Sequence, residues 1–312
     1  MSSRNEAPPP APRHRLALVI GSGGVRSVAA VGVAEALARR GIRPDLLVGC
    51  SSGALAGAAI ALGLPPDEAL RRLQAHWKPE LTERRRWSAW GQLLLPRLLG
   101  FGADFALRDG RPMAAEFEAG FGEQRLEALP TPLRVAVTDA QTGQPALLTR
   151  GRLVDALRAT MAVPFLFPSV EVDGRRLQDG FVSDPLPVGA ARDAGGVLAL
   201  GFPGAMPRRI DRPSRMLAQV TTAMTNNLLE ARVEAARASG QRVLRLELVL
   251  DRRVGLWETE AMPYLHEAGR RAAEARLAEI EALWAETAGP RPLPAPERAR
   301  GERGSRAEGR SA

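Results

Sequence analysis

A repeated pattern in residues 15–63 limits what this chain can fold into. "RLALVI" (15–20) is a short apolar run that closes on the glycine-rich "GSGGVRS". "VAAVGVAEALARRG" follows, with apolar residues at helical spacing up to Gly41. "PDLLVG" (44–49) repeats the apolar run, passes through Cys50, Ser51, Ser52 and Gly53, and leads into "SGALAGAAIALG", which ends at Gly63. Short apolar runs bounded by turn residues predict buried strands, and alanine-rich periodic stretches ended by glycine predict helices. Strand, turn, helix, strand is a βαβ unit, which implies a parallel sheet with helices packed on both faces.

The rest of the chain fits that plan. Residues 65–78 read as a helix, 84–107 as apolar and irregular, and 133–149 as two strands about a Thr-Gly turn. Residues 168–181 predict a hairpin turning on Asp173 and Gly174. Strands are expected at 195–202 and 242–250, and helices at 214–238 and 263–286. The expected class is α/β: a three-layer α/β/α sandwich with a mostly parallel central sheet, in one domain over 15–288. Residues 1–14, proline-rich, and 289–312, rich in arginine and proline, are expected to be disordered tails.

Composition removes several functions. Cys50 is the single cysteine of 312 residues, so no intrachain disulfide and no multi-cysteine zinc site can form. The net charge of +8 comes almost wholly from arginine, Lys78 being the sole lysine. A basic surface suits nucleic acid or an anionic membrane. Aromatic residues are only 4% of the chain and Tyr264 is its single tyrosine, so base-stacking platforms are scarce and no nucleic-acid partner is expected. The apolar run Leu16–Ile20 is shorter than the roughly 7–15 residues of a secretory leader. Residues 46–62 fall short of the ~20 apolar residues of a spanning helix. The expectation is a cytoplasmic protein.

Gly49, Cys50, Ser51, Ser52 and Gly53 spell G-x-S-x-G, a pattern that holds a nucleophilic serine on a sharp strand-to-helix turn. The alternative is that Gly49 and Gly53 serve only close strand–helix packing. The turn at 21–27 also has two readings. As a dinucleotide loop it has Gly21 and Gly23 in place, but Arg26 stands where a third glycine belongs, and Asp45 precedes its strand. As an oxyanion hole it needs only free backbone N–H groups at a helix start. In a parallel sheet this turn and Ser51 share the carboxyl edge, which favours the second reading.

A serine needs a base. His14 falls in the expected tail, His76 at the end of a helix, and His266 in the last helix. Only His266 fits the Ser…Asp…His order, and a helical position is unusual for that role. Asp179, followed by Gly180, is the other candidate. It reads either as a general base raised by a desolvated cleft or as a turn-capping aspartate.

Three blocks, "LALVIGSGGVRSVAAVGVAEAL", "LVGCSSGALAGAAIA" and "TMAVPFLFPSVEVDGRRLQDGFVSDPLPV", resemble in order and spacing the patatin-like phospholipases, over residues 15–250. The resemblance implies a serine lipase, a carboxylic ester hydrolase with no cofactor and no metal, acting on an acyl lipid or another ester. It implies Ser51 as nucleophile and Asp179 as base of a Ser–Asp dyad without histidine. It puts the oxyanion motif on Ser22, Gly23, Gly24, Val25, Arg26 and Ser27. Ser22 and Ser27 depart from the motif's outer glycines, and Phe181 follows Asp179 and Gly180 where a small residue is usual. Those departures keep open an inactive member that binds lipid in a regulatory role. Segment 84–107, with Trp87, Trp90 and Phe101 after Arg84–Arg86, reads either as a lipid-contacting lid giving peripheral membrane contact or as a core-covering helix pair.

Overall fold

A computed structural model describes residues 13–78, 81, 86–98, 101–102 and 105–287. Residues 1–12 and 288–312, which hold nearly all of the two expected tails, lie outside the described residues.

The sheet has eight strands. β1 (His14–Ile20), β2 (Leu46–Cys50) and β3 (Leu133–Asp139) run parallel on one side of its centre. The other side continues parallel from β1 through β7 (Ala194–Leu200) to β8 (Val243–Leu246). Three antiparallel strands finish the β3 side: β4 (Pro145–Leu148) and β6 (Arg175–Asp179) pair with β3, and β5 (Val170–Val172) pairs with β6. The fold class is as the sequence predicts. His14 is a correction: it opens β1 rather than lying in a tail, because its N–H and that of Arg13 both donate to Asp193 O.

Side chains alternate across the sheet. Leu16, Leu18 and Ile20 pack into the core shared with α1 (Ala29–Ala38), α2 (Ser52–Ala61) and α8 (Met262–Ala275). Ala17 and Val19 face the opposite layer, where Leu229, Val233 and Ala236 of α7 (Pro213–Ala238) cover them. A strand buried on both faces loses its polar alternation, which is why "LALVI" is apolar throughout.

α3 (Pro66–His76) follows the expected span, and α4 (Trp87–Leu94) is one helix within the irregular 84–107 region. α5 (Arg111–Phe121) and α6 (Leu153–Thr160) were not anticipated. They are short, and their buried Met113, Phe117, Leu153 and Leu157 take sides only once the sheet exists. The helix expected over 263–286 breaks at Arg276, giving α8 and then α9 (Leu277–Glu286). The last strand stops at Leu246 instead of Leu250.

α1 and α8 touch backbone to backbone. A Cβ on Gly32 would sit 1.9 Å from His266 O, and one on Gly269 would sit 1.9 Å from Ala29 O. No rotamer relieves such a clash, because the obstacle is main chain. Gly32→Ala should therefore separate the two helices and cost about 2–3 kcal/mol, read as a fall of several degrees in thermal melting.

Candidate active site

The register places Ile20 beside Gly49, so the chains leaving β1 and β2 emerge side by side. Ser51 stands between β2 and α2 with φ 55° and ψ −131°. An L-residue pays about 1–3 kcal/mol for such a conformation, so the surroundings must impose it. Gly49 and Gly53 do so by close approach. A Cβ on Gly49 would lie 2.3 Å from Ala54 Cα, and one on Gly53 would lie 2.4 Å from Ile20 O. Both glycines thus serve close strand–helix packing, and that packing holds Ser51 at the turn. Cys50 is buried below the turn, where burial first and the Asp179 charge second push its thiol well above the usual range. A thiol held in that state is inert.

Ser51 Oγ donates to Asp179 Oδ2 at 2.7 Å across 128 residues of chain. Asp179 ends β6, paired with Val137 of β3, and β3 lies next to β2. Its other oxygen accepts the Phe181 N–H at 3.0 Å, so one carboxylate both caps a turn and holds the serine. The side chain is fully buried. Burial lifts its carboxyl to about 7, against the opposing pull of the Phe181 and Ser51 hydrogen bonds. Gly180 serves packing: a Cβ there would sit 2.5 Å from Ala136 O, so the residue lets β6 close on β3.

The C-terminal end of α6 grips both partners. Thr160 Oγ1 accepts the Ser51 N–H at 2.8 Å and gives its one hydrogen to Ala136 O at 2.6 Å. Two residues on, Ala162 O accepts the Asp179 N–H at 3.0 Å. Thr138 Oγ1 donates to Asp179 O at 2.9 Å from the β3 side. The sequence reading missed Thr160. Its only local signal was a hydroxyl closing "LVDALRAT" inside the third family-like block.

The backbone amides of the 22–27 turn differ in what they meet. Ser22 N–H is taken by Pro185 O at 2.9 Å and Val25 N–H by Leu256 O at 2.8 Å. Gly23 N–H makes only a long 3.4 Å bond to Ser52 Oγ. Gly24 N–H opens a 3-10 turn with no acceptor among the described residues. Gly24 has φ +59°, and a Cβ on it would meet Leu256 O at 2.4 Å; one on Gly23 would meet the Phe202 ring at 2.5 Å. Arg26 braces the loop through Gly23 O at 3.1 Å, Pro203 O at 2.9 Å and Phe202 O at 3.2 Å. Ser27 Oγ donates to Gly24 O at 2.8 Å. Ser22 keeps ordinary backbone angles, so neither serine strains the loop.

These groups open on a cavity of about 270 Å³, walled on its apolar side by Met161, Val163, Leu166, Phe181, Phe202 and Trp257. The histidines face elsewhere: His14 pairs with Ala194 in the sheet, His76 Nδ1 lies 3.1 Å from Glu116, and His266 Nε2 lies 2.9 Å from Glu35. Among the described residues no group of three or more His, Cys, Asp or Glu is placed to hold a metal ion. In the 84–107 region, Arg84 and Leu99 lie outside the described residues. Trp87 is 76% exposed and Leu94 79%, with only Ala89 of α4 buried, so this helix does not cover the core. No helix among the described residues is long and apolar enough to cross a membrane.

Residues 18–192, more than half of the chain, match the family described as Patatin-like phospholipase. An uncharacterized NTE family protein of Mycobacterium tuberculosis is 36% identical over 174 residues, 56% of this chain and 44% of its own length. A second from the same organism is 28% identical over 285 residues, 84% of this chain and 46% of its own length. The chain thus spans less than half the length of these relatives. Among solved structures, VipD from Legionella pneumophila aligns with TM-score 0.44 and 13% identity over 86% of this chain and 67% of that chain.

Two outcomes follow from the geometry. Thr160→Val strands the Ser51 N–H and Ala136 O in the interior, so chemical denaturation should show a loss of about 1–3 kcal/mol, whereas Thr160→Ser should keep most of it. Asp179 holds its proton more tightly folded than unfolded between its ordinary value near 3.8 and about 7, so its burial costs stability progressively as pH rises through that window. Asp179→Asn should consequently raise the melting temperature relative to wild type more at pH 8 than at pH 4.

Proposed function

The chain belongs to the patatin-like phospholipase family, and on that premise we propose that it is a lipid acyl hydrolase working through a Ser51–Asp179 dyad. The observation that carries this reading is the 2.7 Å hydrogen bond from Ser51 Oγ to a fully buried carboxylate. A carboxylate in water is too weak a base to draw a proton from serine. Burial narrows that gap by lifting Asp179 to about 7.

Ser51 Oγ attacks the acyl carbon as its proton passes to Asp179 Oδ2. The carbonyl π pair moves to oxygen, and the oxyanion is met by the amides of Gly23 and Gly24. Gly23 N–H leaves its long bond to Ser52 for this stronger acceptor. Each such donor is worth about 10²–10³ in rate, and the general base about 10²–10⁴. Collapse of the intermediate breaks the ester C–O bond, and Asp179 returns its proton to the departing alcohol. Water then attacks the acyl carbon as one of its protons passes to Asp179; the acyl–Oγ bond breaks, the acid leaves, and Asp179 returns that proton to Ser51 Oγ. The dyad turns over without histidine.

The apolar wall of the cavity suits an acyl chain better than a polar head group. Phe181 supplies part of that wall, which gives a use for its departure from the small residue of related proteins. The exposed Trp87, Trp90, Leu94 and Leu98 form the lipid-contacting part of the 84–107 segment.

With a p-nitrophenyl acyl ester, Ser51→Ala and Asp179→Asn should each lower kcat by at least about 10³-fold, while His266→Ala keeps it. A fluorophosphonate probe should label Ser51. Full activity in Asp179→Asn, or loss confined to His266→Ala, contradicts the dyad.

A further inference from the structure

α7 is two half-helices of different character. Its 26 residues make a rod about 39 Å long. The C-terminal half packs on the sheet through Leu229, Val233 and Ala236. The N-terminal half, residues 213–228, contains no buried residue. At 3.6 residues per turn, Thr221, Thr222, Thr225 and Asn226 continue the sheet-facing side, and they line the catalytic cavity. Met216, Leu217, Val220 and Met224 fall together on the opposite side, 50–67% exposed. Further along that outer side come Asn227, Ala231 and Glu234, all more polar or smaller. Exposed large apolar residues are therefore confined to the half-helix that walls the cavity.

The segment entering the helix carries the matching charge. Arg208, Arg209, Arg212 and Arg215 stand against the single acid Asp211, with Met206 and Ile210 exposed among them. This segment is tied to α7 where Asn226 Oδ1 accepts from Gly204 N at 2.8 Å and Asn226 Nδ2 donates to Gly204 O at 2.9 Å. Val163 and Leu166 also line the cavity, while Phe165 between them is 63% exposed and stacks edge-on with Phe105. Two elements that line the cavity thus also carry exposed apolar residues, with arginines next to one of them.

We propose that the outer face of residues 206–224 is the docking surface by which this protein seats its active-site mouth on an anionic lipid bilayer. The proposal rests on the lipid hydrolase reading and adds the contact that delivers its substrate. Charge decides the occupant: a second copy would bring two arginine clusters together, whereas an anionic leaflet complements them. Methionine, leucine and valine on a basic half-helix make an interfacial face, too short to span and lying in the headgroup plane. An acyl chain leaving the leaflet there would pass from bilayer to cavity along the threonine side of the same helix.

The test is co-sedimentation of the full chain with vesicles of phosphatidylcholine alone or mixed equally with phosphatidylglycerol, beside hydrolysis of a soluble p-nitrophenyl ester. Wild type should bind the mixed vesicles at least about tenfold better than the neutral ones. The double variant L217E/V220E should lose at least about tenfold of that binding with ester hydrolysis unchanged. R208Q/R209Q should weaken it at low salt more than at high salt. Unchanged binding by L217E/V220E overturns the proposal, as does a wild type that binds neither vesicle. So does a shift from dimer to monomer in L217E/V220E by analytical ultracentrifugation, which would give the face to a second copy. Vesicle binding by a wild type that cannot hydrolyse the soluble ester supports the docking face and removes the dyad reading. Hydrolysis without vesicle binding does the reverse.

Discussion

The hydrogen bond between Ser51 and Asp179 is the contact around which this structure is arranged. A fully buried carboxylate is expensive to ionise, and among the described residues no arginine or lysine contacts it to compensate. What it has are two donors, the Ser51 hydroxyl and the Phe181 N–H. The fold accepts that cost beside Ser51. It keeps the geometry through neighbours that are themselves locked: Thr160 on the serine amide, Ala162 on the aspartate amide, and Thr138 on the aspartate carbonyl.

Strain at Ser51 and burial at Asp179 are two parts of one arrangement. The glycines on either side of Ser51 let α2 come down against the ends of β1 and β2, and that approach leaves the serine no other backbone angle. The 22–27 loop is built on the same principle. Phe202 and Leu256 press against Gly23 and Gly24, so the loop holds its shape where these two glycines line the cavity. Arg26 braces this loop through three carbonyls.

α7 joins this rigid centre to the surface. Its inner half-face is sheet packing at one end and cavity wall at the other. Its outer face changes from ordinary polarity to exposed methionine, leucine and valine at the point where the helix leaves the sheet. A helix that only covered a core would be apolar on its inner side and polar outside along its whole length.

Much was legible in the chain itself. Apolar runs, glycine turns and alanine-rich helices are local signals, so the βαβ unit, the turn at Ser51 and the hairpin on Asp173 and Gly174 could be read from neighbouring residues. The elements that escaped were those whose sides depend on partners: α5, α6, and the break at Arg276. By itself, then, the sequence determined the layered α/β plan and the strained serine, because both arise within a few residues. Only the tertiary structure decided how that serine meets Asp179, which loop amides are held by carbonyls, and that Thr160 holds the serine in place. Those depend on strand register and on hydrogen bonds spanning 128 and 109 residues, which no local pattern encodes.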